Sequence, residues 1–156
     1  MENQALSLYI HIPYCIHKCG YCDFNSHPIK YDEMEAYVDA LIVELNYYAQ
    51  KFSPGGIVNT IFLGGGTPTT LSVSQLVRIL EECENNFKLA TDVEVTIEAN
   101  PATIHTDQLR SIREAGYNRI SVGVQSFDKN ELRILDRAHG TKEIHCTIDA
   151  ARDAGF

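Results

Sequence analysis

The chain contains no apolar run approaching the roughly 18 residues that a bilayer span needs. Nothing in it is therefore expected to cross a membrane. It has no basic excess either: 13 Lys and Arg stand against 21 Asp and Glu, a formal charge of −8. So acidic a chain is a poor partner for nucleic acid or an anionic membrane surface through bulk charge. Its first residues, Met1 to Pro13, lack the basic stretch and uninterrupted apolar segment of a signal peptide. No low-complexity segment or linker is present, and 44% hydrophobic against 22% charged residues is an ordinary globular balance. A length of 156 residues matches one domain with a core of its own. Nor is there the even, dispersed cysteine set of a secreted disulfide framework. Five cysteines occur, and Cys15, Cys19 and Cys22 fall within eight residues. Tight clustering of this kind reads as metal or redox chemistry in a cytoplasmic protein. Cys83 and Cys146 lie on helical patterns and read as core residues.

What is present is a repeated change of period. Leu6 to Pro13 alternates Leu6, Leu8, Ile10 and Ile12 against Ser7, Tyr9, His11 and Pro13, the period of a strand. From Glu33 a helical stripe takes over through Met34, Val38, Leu41, Leu45 and Tyr48, ending before Ser53-Pro54-Gly55-Gly56. Ile57 to Leu63 is a second strand, followed by a helix capped by Ser72 or Ser74. A third strand begins at Val93, and its helix runs from a Thr106 cap to a Gly116 stop. The fourth strand spans Arg119 to Gln125; Asp128 and Glu131 then suggest a capping box, and a last helix starts near Thr141. Four βα units in succession predict an α/β fold with a parallel sheet and right-handed crossovers. A full eight-unit barrel takes about 250 residues, so residues 1–156 are expected to form a partial barrel, the N-terminal portion of a larger protein.

Every unusual cluster follows a strand: the cysteine loop after the first, Gly64-Gly65-Gly66-Thr67-Pro68 after the second, Glu98-Ala99-Asn100-Pro101 at the third and Gln125-Ser126-Phe127 at the fourth. In parallel α/β folds that end of the sheet carries the active site. Tyr9, His11, Thr96, Glu98, Ser121, Gly123 and Gln125 share the polar phase of their strands. Glu98 and Gln125 are therefore expected to project into one cavity near the cysteines. The spacing C-x3-C-x2-C puts three thiolates on one short loop, one fewer than the four that usually hold an iron–sulfur cluster. The fourth iron would then be open to a substrate or cofactor, as catalytic zinc sites are. A zinc site completed by His17 or His27 is the alternative on spacing alone. The glycine run brings bare backbone to the top of a strand, either for close approach of a ligand or simply for a tight turn. It matches neither the Gly-x-Gly-x-x-Gly dinucleotide fingerprint nor a phosphate loop. Arg137 on its own reads as an ion-pair partner of Asp136 or Glu131.

Together, Tyr9-Ile10-His11-Ile12-Pro13-Tyr14-Cys15, the three spaced cysteines, Gly-Gly-Gly-Thr-Pro-Thr, Ile-Glu-Ala-Asn-Pro and Gly-Val-Gln-Ser-Phe resemble the radical S-adenosylmethionine superfamily. The similarity covers nearly the whole chain and points to the branch of oxygen-independent coproporphyrinogen-III oxidases and haem chaperones. It implies a partial (β/α) barrel of the radical SAM type, stopping here after about four βα units. It also implies a 4Fe–4S cluster on Cys15, Cys19 and Cys22, whose open iron is chelated by S-adenosylmethionine. Reductive cleavage of that cofactor yields a 5′-deoxyadenosyl radical in this superfamily. The same resemblance carries Tyr9, Tyr21, Gly65, Gly66, Thr67, Glu98, Gln125 and Arg137 to cofactor contacts. One departure bears on the branch. The oxidases resemble C-x3-C-x2-C-x-C, and the position of the extra cysteine is Phe24 here. That departure resembles the haem-chaperone type, which implies binding of haem or a porphyrin(ogen) and transfer to a recipient protein.

Overall fold

A computed structural model describes residues 4–101 and 103–156; of the N-terminal stretch read above, residues 1–3 lie outside the described part. Strand β1 (Gln4–Ile12) leads into a two-residue strand β2 (Tyr14–Cys15), and β3 (His27–Pro28) closes the loop that holds the cysteines. Helix α1 (Tyr31–Phe52), β4 (Gly56–Gly65), a 3₁₀ turn at Pro68–Thr70 and α2 (Val73–Asn86) follow. Then come β5 (Leu89–Ala99), α3 (Thr106–Glu114), β6 (Arg119–Val122), α4 (Lys129–Ile134) and α5 (Thr141–Asp153). The main sheet has the order β1-β4-β5-β6, every pair parallel, which is the arc of a barrel wound in chain order.

The aliphatic phase of the strands meets the helices, as the alternation predicts. Ile10, Ile12, Val58, Ile61, Leu63, Val95 and Ile97 are buried against Val38, Leu45, Leu76, Ile79, Leu80, Leu109 and Ile112. Removing such side chains from water is the main stabilising term. In β4 the alternation slips, so that Val58 and Ile61 are both buried. Against β1 the register shifts there, Leu6 pairing with Val58 but Ser7 with Thr60, a bulge that inserts one residue into β4. Tyr117 is fully buried and donates its hydroxyl to the Leu76 carbonyl at 2.9 Å, tying the turn after α3 to α2.

Several local expectations need correction. Ser72 caps α2 through a reciprocal box with Gln75, whereas α3 begins at Thr106 with His105 as its cap residue. Asp128 caps α4, accepting from the Asn130 and Glu131 amides, but Glu131 does not return the bond. Its carboxylate accepts from the Ser126 hydroxyl instead. The fourth strand stops at Val122, not Gln125. There the chain curls through two successive i→i+2 bonds, from the Val124 amide to the Val122 carbonyl and from the Ser126 amide to the Val124 carbonyl. Gln125 takes a positive φ of 67° in this turn.

Cys83 is fully buried, as expected, while Cys146 is exposed on the outer side of α5. Burial pushes the Cys83 thiol up to about 12, with Glu84 and Glu82 adding to the effect. Since the thiolate is the reactive species, Cys146 is expected to be alkylated in the native protein. Cys83 is expected to react only on unfolding. Peptide mapping after iodoacetamide treatment checks this, and early modification of Cys83 would contradict it.

Candidate functional site

A cavity of about 830 Å³ opens at the carboxyl ends of the sheet strands. Its wall includes Cys15, Cys19, Cys22, Tyr21, Phe24, Gly65, Gly66, Glu98, Asn100, Ser121, Gly123, Gln125 and Arg137. Four separate strand-to-helix connections thus meet at one place.

The cysteine loop is closed by the protein's own hydrogen bonds. At its base the His27 amide donates to the Pro13 carbonyl and the Ile29 amide to the Cys15 carbonyl, both at 2.9 Å. Within it, Lys18 donates to the carbonyls of Ser26 at 2.7 Å and Phe24 at 3.2 Å, a staple across the three cysteines. His11 fastens the loop to β1. Its Nε2–H donates to the Asn25 carbonyl at 2.8 Å, which leaves Nδ1 to accept from the Tyr9 hydroxyl at 3.0 Å. Tyr37 on α1 in turn donates to the His11 carbonyl at 2.6 Å. Partial burial, and secondarily the Glu98 carboxylate, raise the Tyr9 phenol above its usual range.

The glycine run has a concrete steric cause. A Cβ on Gly65 would lie 2.6 Å from the His11 ring, and one on Gly66 would lie 2.7 Å from the Tyr14 carbonyl oxygen. The close approach these glycines permit is thus made by β1 and the cysteine loop on one side, while the cavity adjoins them on the other. The Gly65 amide donates to Glu98 Oε2 at 3.2 Å, holding that carboxylate at the rim of β5.

Arg137 does not pair with Asp136 or Glu131. The Asp136 carboxylate accepts from His17 at 2.8 Å, and Glu131 is engaged by Ser126. The guanidinium reaches inward instead, donating to Cys19 Sγ at 3.3 Å, the Tyr21 hydroxyl at 3.5 Å, Asn100 Oδ1 at 2.7 Å and the Gly123 carbonyl at 2.8 Å. A buried His139 takes the next carbonyl, that of Val124, at 3.2 Å. These side chains occupy acceptors that a longer strand would have used in its ladder.

The structure therefore brings Tyr21, Gly65, Gly66, Glu98, Gln125, Arg137 and the three cysteines around one space. Gln125 arrives there by the turn after β6, not by strand alternation. Thr67 lies just beneath, almost fully buried, with its hydroxyl 3.7 Å from Cys15 Sγ. Tyr9 is exposed and stacks on Phe62, lining an adjoining groove along β1. Asn100 and Lys18 are the functional-site residues that spacing did not single out. Asn100 lies one residue past the end of β5, within the strand-end cluster Glu98-Ala99-Asn100-Pro101.

The donor set suits a polynuclear iron–sulfur group. The three cysteines are free, and one sulfur already accepts from a cation. Neither histidine of the zinc alternative is directed at the cysteines: His17 engages Asp136, and His27 faces the Pro28 carbonyl and the edge of Tyr14.

Comparison with known proteins agrees with this arrangement. The model of the radical SAM superfamily matches residues 9–156. The "Heme chaperone HemW" of Escherichia coli strain K12 is 47% identical over all of this chain and 41% of its own length. Its namesake from Bacillus subtilis strain 168 is 40% identical over 96% of this chain and 40% of its own length. The chain thus spans about two-fifths of the curated relatives it matches. Among solved structures, "Coproporphyrinogen III oxidase (HemN) from Escherichia coli is a Radical SAM enzyme" superposes with a TM-score of 0.89 at 36% identity, covering 99% of this chain and 36% of that one. No helix among the described residues is long and apolar enough to cross a membrane. With three cysteines at the superfamily's spacing on the rim of a parallel partial barrel, this chain belongs to the radical SAM superfamily, whose members are implied to carry a 4Fe–4S cluster and S-adenosylmethionine.

Proposed function

We propose that the protein carrying this chain is a cytoplasmic haem chaperone of the radical SAM type. Residues 1–156 form part of its core domain, and a recipient protein takes up the haem. The names of relatives at 47% and 40% identity support this reading, as does Phe24 at the position of the oxidases' additional cysteine. The observation that carries the site is the convergence of Cys15, Cys19 and Cys22 with Glu98, Gln125 and Arg137 on one cavity.

In this reading Cys15, Cys19 and Cys22 hold a 4Fe–4S cluster, and the adjoining rim receives S-adenosylmethionine. Bound there, the pair would supply one-electron cleavage of a sulfonium, chemistry that belongs to the cofactors. The chain's own residues bind and orient. Gly65 and Gly66 border the cofactor's polar end, their amides held by Glu98 and the Ile12 carbonyl, and Glu98 accepts from the cofactor's donors. The Arg137 guanidinium, beside Cys19, faces anionic groups and screens the thiolates' charge. Tyr9, Tyr21 and Thr67 complete the surroundings, and Lys18 and His11 keep the loop shut.

A second reading, oxidative decarboxylation of coproporphyrinogen III, draws on the 0.89 TM-score and 36% identity to the oxidase. Anaerobic reconstitution of the full-length protein with iron and sulfide separates the possibilities. A reduced-cluster EPR signal that changes on adding S-adenosylmethionine is expected, with stoichiometric haem binding and no porphyrinogen turnover. Turnover with release of methionine and 5′-deoxyadenosine would favour the oxidase. Stoichiometric zinc without a cluster would refute both.

A further inference from the structure

The hydrogen bonds under the cysteine loop form a chain with a single possible direction. Arg137 carries only donors, so the atom of Asn100 facing it at 2.7 Å must be the carbonyl Oδ1. That fixes the amide and turns Nδ2 towards Thr67 Oγ1, 2.9 Å away. An amide nitrogen only donates, so Thr67 accepts there. Its one proton is left for Cys15 Sγ at 3.7 Å. At the other end Arg137 donates to Cys19 Sγ at 3.3 Å. The two sulfurs are therefore joined by Thr67, Asn100 and Arg137 in sequence, each link forcing the orientation of the next.

The junction is built into the fold. The Asn100 carbonyl accepts from both the amide and the hydroxyl of Thr103, at 3.1 and 2.6 Å. A Cβ on Gly123 would stand 2.7 Å from Asn100 Oδ1, so only glycine leaves room for the amide at that position. Thr67 is 1% and Cys15 7% exposed, and hydrogen bonds shielded from water in this way are electrostatically stronger.

We propose that Asn100 is a positioning residue that aims Thr67 and Arg137 as donors at the sulfurs of Cys15 and Cys19, and so sets the reduction potential of the cluster those sulfurs hold. The inference rests on the cysteine-ligand reading above. Donors to a thiolate sulfur draw off negative charge and favour the reduced, more negative cluster, which raises its potential.

The test is a potentiometric titration followed by EPR on the reconstituted full-length protein, with iron and sulfide counted in every sample. Thr67→Val keeps the side-chain shape and removes the hydroxyl, Thr67→Ser restores it, and Asn100→Leu removes both amide contacts. The midpoint is expected to move to more negative potential in Thr67→Val and in Asn100→Leu and to stay at the parent value in Thr67→Ser. In the double variant Thr67→Val/Asn100→Leu the shift should fall short of the sum, because both act on one chain of bonds. Cluster loss in Thr67→Val that Thr67→Ser reverses would also support the hydroxyl's role. A parent-like potential in Thr67→Val at full cluster content overturns the inference, even if Asn100→Leu loses the cluster. Equal cluster loss in Thr67→Val and Thr67→Ser overturns it too, leaving only packing. A parent protein that assembles no cluster overturns the ligand reading itself.

Discussion

Cys19→Ala, introduced into the full-length protein, is expected to abolish the cluster. Three thiolates are already one fewer than the usual complement for a cubane, so the group has no surplus ligand to lose. Cys19 is also the sulfur that accepts from Arg137, which makes it the point where ligand and charge compensation meet. The two nearby histidines are turned to other partners, His17 to Asp136 and His27 to the Pro28 carbonyl. The folded loop itself should survive, since Lys18, His11 and the β2–β3 pairing close it without a metal. The expected result is a colourless protein with near-background iron and sulfide and an unfolding temperature close to that of the cluster-free parent. Cys146→Ala, on an exposed helix face, should retain full iron. Full iron and sulfide in Cys19→Ala, measured by chemical analysis after anaerobic reconstitution, would exclude the assignment.

The parts of this fold that were legible in the sequence were those where one physical rule dominates. Ile10, Ile12, Val95 and Ile97 follow a strict period of two because one face of each strand packs on helices, and all four are buried. The clusters at strand ends were legible because in a parallel sheet all such ends share one side, and the cavity lies there. Legibility failed where side chains replace the backbone ladder. Ile120, Val122 and Val124 alternate as a strand should, yet the carbonyls of Gly123 and Val124 are taken by Arg137 and His139, and β6 ends early. Arg137 was obscure for the related reason that its partners, Cys19 and Asn100, are 118 and 37 residues away. An adjacent Asp136 gave the local pattern a plausible but different partner. No local pattern reports the small β2–β3 pairing, which exists because the cysteine loop must return to its own base. Cys146 shows the limit of periodicity, a cysteine on a helical pattern whose face points outward.

Gly66→Ala should be strongly damaging to the cysteine site. The new Cβ would stand 2.7 Å from the Tyr14 carbonyl oxygen and 2.8–2.9 Å from the carbonyl of Pro13, and neither group is the end of a flexible side chain. Relief requires the main chain to move. The two carbonyls in its way accept from the Thr67 amide at 2.7 Å and the His27 amide at 2.9 Å. The first of these bonds holds Thr67 beneath Cys15, and the second closes the return of the cysteine loop. Overpacking of this kind costs about 1–3 kcal/mol, and the loss of either bond adds roughly another 1 kcal/mol. Gly55→Ala supplies the contrast. Gly55 has a φ of +89° but nothing within 4 Å of a Cβ, so its cost is backbone strain alone, about 1–2 kcal/mol. Both variants of the full-length protein should unfold at lower temperature, Gly66→Ala by more. Only Gly66→Ala should lose most of its iron on reconstitution, because only there does the displaced backbone carry a cysteine. Equal iron in the two variants would mean that the loop can shift as a unit without disturbing Cys15, and that the bonds at its base matter less than the sulfurs' own affinity for the cluster.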